Sequence, residues 1–133
     1  MIVLDASVLI DLLLGIPPHA DAVAELLASE APQLFAPHLI DAEVAQVVRR
    51  RVLGGTVRPL DAVDALRVLG ELPLVRHPHL PFLARAFEWR DNVTVYDGLY
   101  LALAEALGAT LVTRDTALAS VPGCSARVRV LAG

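Results

Sequence analysis

Short apolar runs separated by longer stretches of helical spacing constrain this chain more than any other feature. The runs are Ile2–Asp5, Leu34–Ala36 (bracketed by Pro32 and Pro37), Leu72–Val75, Thr110–Thr113 and Arg127–Leu131. Each suits a buried strand by its length and its flanking turn residues. The stretches between them place apolar residues at the spacing of one helix face. The expected helices are Val8–Leu14, His19–Glu30, His38–Leu53, Pro59–Leu69, Pro81–Trp89 and Tyr96–Leu107. Their ends carry breakers: Gly15 with Pro17 and Pro18, Gly54-Gly55, Gly70 and Gly108. Such alternation is the mark of a parallel sheet covered by helices. The expected fold is therefore α/β, one domain over residues 1–133, with a mostly parallel central sheet of about five strands and helices on both faces.

Composition narrows the chemistry. The chain is 56% hydrophobic, which excludes a disordered polymer and leaves room for apolar surface toward a partner. Its net charge is −4, the wrong sign for a protein that grips nucleic acid by bulk charge alone. All eleven basic residues are arginine. Mechanisms that need a lysine are thereby excluded: the phosphate-cradling loop of NTPases, and the receiver and aspartyl-phosphate chemistries read here as needing one. No G-x-S-x-G elbow is present for a serine hydrolase. The single cysteine, Cys124, rules out an intrachain disulfide and fits a cytoplasmic setting. The apolar N-terminus lacks a positive n-region and carries Asp5 and Asp11, so it reads as a core strand and helix, not a signal peptide. No charge-free run of about 18 apolar residues predicts a membrane span.

Four acids stand at informative positions. Ligands of open α/β sheets gather at the C-terminal ends of the strands. Asp5 ends the first strand, and Asp115 follows the Thr110–Thr113 strand with one residue between. Asp97 opens a helix, and Glu43 lies in the first half of another. Each has a structural alternative: a helix N-terminal charge for Asp97, a turn cap for Asp115, a core-boundary position for Glu43. Asp5 is the hardest to explain that way, since a carboxylate ending an apolar strand is rarely buried without a partner. Crowded carboxylates raise one another's pKa, and a hard divalent cation relieves the conflict. Mg²⁺ takes oxygen ligands in octahedral geometry and keeps several waters, and Mn²⁺ uses similar sites. From spacing alone, a shared metal site and four unrelated structural acids both remain open.

Other residues invite weaker readings. Arg49-Arg50-Arg51 suits either RNA phosphates or a solvated helix end. Arg114, beside Asp115, suits a phosphate or a neighbouring acid. His77-Pro78-His79 is only half a metal site and reads as a surface loop. Phe87 and Trp89 read as packing residues before base-stacking ones.

The segment NVTVYDGLYLALAEALGATLVTRDTAL, residues 92–118, resembles the C-terminal half of PIN-domain proteins, and specifically of the VapC-type toxins of toxin–antitoxin pairs. Tyr96-Asp97, Tyr100, Leu103-Ala104-Glu105 and Thr113-x-Asp115 carry that likeness. MIVLDASVLIDLLLG is similar to the family's opening strand, Asp and helix, and APHLIDAEVAQVVRRRVLGG to its internal Glu on a helix. The resemblance implies a PIN-like domain and Mg²⁺- or Mn²⁺-dependent cleavage of RNA. It implies Asp5, Glu43, Asp97 and Asp115 as metal-binding and catalytic acids. Thr113 would orient Asp115 or a water on the metal, and Ser7 would do the same near Asp5; their plain alternatives are a β-branched strand residue and a helix cap. A homodimer silenced by a cognate VapB-type antitoxin, with an arginine laid into the acidic pocket, is implied as well. The rival expectations are a PIN fold that is catalytically silent and binds a metal or partner, and a DNA nuclease of related chemistry.

Overall fold

The computed structural model describes residues 1–131 and realises the strand–helix alternation as a five-stranded sheet. The strands are β1 (Ile2–Leu4), β2 (Leu34–Pro37), β3 (Leu74–His77), β4 (Thr110–Thr113) and β5 (Arg127–Val130). Their spatial order is β3-β2-β1-β4-β5, and every pairing is parallel. β1 sits in the centre and is buried along its whole length, which explains why it reads as an unbroken apolar run. The edge strand β5 is only half-buried and alternates Arg with Val.

Six α-helices connect these strands: α1 (Ala6–Leu14), α2 (His19–Glu30), α3 (Leu39–Leu53), α4 (Pro59–Glu71), α5 (Leu83–Glu88) and α6 (Val95–Leu107). Right-handed crossovers carry α1–α4 over one face while the chain winds from β1 to β3. The connection from β3 to β4 reverses direction and lays α5 and α6 on the other face. The helix contacts divide into the same two sets, with α1, α3 and α4 touching one another and α5 touching α6. α6 packs on β1, β2 and β4, and is buried continuously from Gly98 to Ala104. A side chain at Gly98 would press on Ala86, whose Cβ lies 3.0 Å from where the added carbon would stand. Glycine there lets α5 and α6 approach closely, and α5 in turn fixes the start of α6.

Most expected elements stand within a residue or two of their observed bounds. The third strand is displaced, from Leu72–Val75 to Leu74–His77. The Leu72 amide still donates to Val68 O of α4, so the chain joins the sheet only after Pro73. It then stays in the sheet through Arg76, whose guanidinium makes two bonds to Asp41 of α3 at 2.7 and 2.9 Å. The expected helix Pro81–Trp89 is a 3₁₀ turn, Leu80–Phe82, followed by the shorter α5. Ser7 does not cap α1. The helix begins at Ala6 with Asp5 in the capping position, and the Ser7 hydroxyl donates to Asp5 Oδ2 at 3.2 Å instead. His77 and His79 form no half-site for a metal. His79 Nε2 accepts the Leu39 amide at 2.8 Å and closes the start of α3, while the His77 ring lies against Phe35. Trp89 is core, with Arg85 over its ring, whereas Phe87 is exposed beneath Arg90. No single helix is long and apolar enough to cross a membrane.

Candidate active site

The sheet order makes the site nearly inevitable. From β1 the chain winds to one side, and from β3 it jumps back to β4 on the other. The β1–β4 boundary is thus the switch point, where loops part and leave a crevice at the strands' C-terminal ends. Asp5 follows β1 and Asp115 follows β4 at that boundary. Glu43 reaches it from α3 on one face and Asp97 from α6 on the other. One open cleft is lined by Asp5, Glu43, Asp97 and Asp115, together with Ser7, Arg51 and Arg114.

Each acid is held by its own neighbours. Asp5 is 7% exposed, and its Oδ2 accepts from Thr113 Oγ1 at 2.5 Å as well as from Ser7. Thr113 is fully buried, and its hydroxyl oxygen also accepts the Asp115 amide at 3.0 Å. It therefore ties the ends of β1 and β4 together, orienting the Asp5 carboxylate directly and Asp115 through its backbone. Ser7 Oγ accepts the Arg114 amide at 3.4 Å, a second stitch across the same gap. The Asp115 carboxylate accepts the Ala117 amide at the start of a 3₁₀ turn.

Glu43 is gripped from across the sheet edge by Tyr100, whose buried hydroxyl donates to Glu43 Oε1 at 2.6 Å. That bond joins α3 to α6, the two helix layers. Asp97 stands in the first turn of α6, where its amide donates to the capping Thr94 hydroxyl at 3.1 Å. The positive end of the helix dipole favours its charge.

Burial and mutual repulsion act against ionisation at two of these groups. The Glu43 carboxyl is raised above the usual range, chiefly by burial; the Tyr100 bond pulls it down, and the charges of Asp5 and Asp97 push it up further. Asp97 is raised by burial and by the charges of Asp5 and Asp115, against the opposing effect of the Thr94 bond. The Tyr100 hydroxyl is pushed up by burial and by Glu43, so it stays a proton donor. A raised carboxyl pKa means that the folded, metal-free protein binds protons more tightly than the unfolded chain. Stability from these groups is fully present below the ordinary carboxylate range and is lost as pH rises from there through their raised values. Asp97→Asn is therefore expected to stabilise the protein in EDTA at neutral pH by about 1 kcal/mol and to flatten its pH dependence. Thermal melts between mild acid and neutrality check this; a clear drop in melting temperature for the variant would exclude a crowded pocket.

No three His, Cys, Asp or Glu side chains among the described residues are set, as they stand, to close around one ion. The donor chemistry nonetheless fits a hard divalent cation. All four acids offer oxygen alone, they face one cleft, and two of them resist ionisation through burial and one another's charge.

Other members of the site were harder to foresee. Asp11 is 0% exposed inside α1, with Arg114 Nε 2.9 Å and His19 Nδ1 3.5 Å from its Oδ2. Its signal was available, since a lone acid in SVLIDLLL has apolar neighbours on every side. Arg49, Arg50 and Arg51 part company: Arg51 lines the acidic cleft, Arg50 a neighbouring pocket, and Arg49 an apolar groove between α3 and α4. Glu105 lies outside the cleft. The Arg85 guanidinium holds its carboxyl down to about 2 while pinning α5 to α6.

Comparison with known proteins agrees with this geometry. The PIN domain family model matches residues 2–123. Ribonuclease VapC1 of Mycobacterium tuberculosis is 39% identical over 130 residues, 97% of this chain and 96% of its own length. Ribonuclease VapC12 of the same organism is 39% identical over 132 residues, 99% of this chain and 100% of its own. Among solved structures, VapBC2 from Rickettsia felis, bound to a DNA fragment from its promoter, superposes with a TM-score of 0.70 at 18% identity over 99% of this chain and 100% of that one. The sarcin-ricin loop cleaving toxin VapC20 of M. tuberculosis gives a TM-score of 0.66 at 17% identity over 84% of this chain and 87% of its own. At those identities the structural likeness is one of fold. With its acids gathered where the sheet reverses and its relatives matched nearly end to end, the chain belongs to the PIN domain family, among the VapC ribonucleases.

Proposed function

We propose that this protein is a metal-dependent endoribonuclease and the toxin of a toxin–antitoxin pair, working in the cytoplasm. The observation that carries the reading is the convergence of Asp5, Glu43, Asp97 and Asp115 on one cleft from four separate elements. These residues would hold one or two Mg²⁺ or Mn²⁺ ions. Such an ion, when bound, polarises a phosphoryl oxygen and lowers the pKa of a water.

The chain's own residues set the stage for that chemistry. Thr113 and Ser7 fix the rotation of Asp5, so its carboxylate presents one orientation to the cleft. Tyr100 does the same for Glu43. Burial and mutual repulsion raise the carboxyls of Glu43 and Asp97, so both hold a proton more tightly than exposed acids do in the metal-free cleft. Arg51, on the rim, supplies positive charge to an RNA backbone that the protein's net charge would otherwise repel.

The partner surface is separate. Leu53, Leu60, Val63 and Leu66 are exposed on α3 and α4, beside the groove lined by Val48, Arg49 and Val52. Apolar surface of this kind suits burial by another chain, here a VapB-type antitoxin or a second copy of the protein. The relatives' names and the antitoxin complex of the Rickettsia felis neighbour favour both parts of the proposal.

The test is incubation of partner-free protein with total cellular RNA in Mg²⁺, Mn²⁺ or EDTA, beside Asp97→Ala. Discrete cleavage that needs metal and vanishes in the variant is the expected result, and competition with single-stranded DNA is expected to leave RNA as the substrate. Metal-dependent thermal stabilisation without cleavage in any arm would overturn the catalytic reading in favour of a silent binding subunit. Preferential cutting of DNA would overturn the substrate.

A further inference from the structure

Beside the acidic cleft lies a second pocket, lined by Leu39, Ala42, Gln46, Val47, Arg50 and Tyr96, and sharing Glu43 and Val47 with the cleft. Its floor follows from helical spacing. Glu43, Gln46, Val47, Arg50 and Arg51 fall at i, i+3, i+4, i+7 and i+8 on α3, so one stripe of that helix runs from the acids through an amide and an apolar residue to two cations. Its wall is Tyr96, which immediately precedes Asp97 and leaves its aromatic side chain 62% exposed.

Three properties set this pocket apart from ordinary surface. A large aromatic stands open to solvent one residue from a site acid. Among the described residues, the side chains of Tyr96, Gln46 and Arg50 have no hydrogen-bond or ion-pair partner. By contrast Arg58, Arg67, Arg76, Arg85 and Arg114 are each paired with a carboxylate. The pocket is also continuous with the cleft, so a chain whose phosphate lies among the acids has its next base within reach of Tyr96.

We infer that this pocket is a base-binding subsite that takes one unpaired nucleobase of the RNA beside the scissile phosphate. The Tyr96 ring offers a stacking face, Gln46 offers both a donor and an acceptor to a base edge, and Arg50 meets the flanking phosphate. A paired base cannot enter, so the subsite selects a single strand, a loop or a bulge. This rests on the ribonuclease reading and adds to it a source of sequence preference that the acids themselves cannot supply, since they see only the backbone.

The experiment uses a set of short single-stranded RNAs of mixed sequence, with 2-aminopurine beside the cut phosphate wherever wild type cleaves and otherwise at a fixed internal position. Binding is followed by fluorescence in EDTA, and cleavage is followed in Mg²⁺ on the same sequences with each of the four bases or an abasic residue at that position. Quenching is expected with wild type and with Tyr96→Phe. Tyr96→Ala is expected to lose the quench, bind about 10-fold more weakly, and cleave all four bases and the abasic RNA alike; Gln46→Ala is expected to relax the base preference with stacking intact. Equal melting temperatures establish that these exposed positions leave the fold unaltered. An unchanged quench and base profile in Tyr96→Ala would overturn the subsite. So would a Tyr96→Ala that changes only oligomeric state or antitoxin binding, which would make the pocket a protein contact. Quenching by wild type with no cleavage in any metal would fail the nuclease reading alone and leave the subsite standing.

Discussion

Arg114→Ala is expected to cost about 1–3 kcal/mol of folding stability, the range for leaving one buried polar group without its partner, because Asp11 is buried while the Arg114 side chain is itself about a third exposed. Asp11 is 0% exposed, and its carboxylate lies 2.9 Å from Arg114 Nε. Neither Asp11 oxygen gains a well-aligned hydrogen bond among the described residues, so charge rather than geometry holds the pair. His19, at 3.5 Å, is the one other cation close by in the described structure, and it contributes only when protonated. Removing Arg114 strands a carboxylate in the packing of α1, and that penalty exceeds the worth of the pair itself. Against a total stability of about 5–15 kcal/mol this is a large fraction. The double variant Asp11→Ala/Arg114→Ala is expected to recover much of the loss, because it removes the stranded charge. Urea titrations of the four proteins in the cycle measure the coupling. If Arg114→Ala melts like wild type yet cleaves RNA poorly, its side chain serves the substrate and Asp11 is satisfied in another way.

That pair also shows what could and could not be read from the chain. The strand ends were legible because apolar runs stop sharply at Asp5 and Thr113, and a parallel sheet places such ends at its ligand-binding edge. Asp115 followed from the same edge, and Thr113 from the family resemblance. Glu43 and Asp97 sit on helices whose approach depends on the order β3-β2-β1-β4-β5, which no periodicity encodes; their positions raised a shared site but left it open, and only the family resemblance favoured it. Side-chain partners across elements were less legible still. Nothing local says that the Tyr100 hydroxyl meets Glu43, 57 positions away, or that Asp11 meets Arg114. Ser7 allowed two readings, a helix cap and a residue orienting groups near Asp5; the carboxylate two residues earlier offered its hydroxyl the better acceptor, so the cap reading fails. The third strand misled because Leu72 is apolar enough to belong to it, while its amide is still committed to α4.

The basic run divides for a similar reason. Three consecutive positions on a helix point about 100° apart, so Arg49, Arg50 and Arg51 cannot share one partner. Arg51 lines the acidic cleft, Arg50 the pocket beside Tyr96, and Arg49 the apolar groove. A sequence reading that treats the run as one basic patch loses this distinction. The folded helix distributes its charge among three separate surroundings within a single turn.

Asp5→Asn is expected to reduce RNA cleavage by at least about 10²–10³-fold, the size of one lost preorganised electrostatic contact in a transition state, while leaving the fold intact. The side chain keeps its shape, and its remaining oxygen can still accept from Thr113 Oγ1, now at 2.5 Å from Asp5 Oδ2. What disappears is the one charge that both ends of the switch point are built to orient. Thr113→Val separates charge from orientation. Valine fills the same volume at this fully buried position but frees Asp5 to rotate and leaves the Asp115 amide without its acceptor. Its expected cost is about 10–100-fold in activity or metal affinity, as for other residues that position a ligand. Calorimetric titration with Mn²⁺ beside single-turnover cleavage distinguishes the two. Asp5→Asn is expected to weaken the metal and abolish turnover, and Thr113→Val to weaken the metal with turnover partly restored at high Mn²⁺. Full activity in Asp5→Asn would remove this carboxylate from the chemistry and move the reacting phosphate toward Asp97 and Asp115.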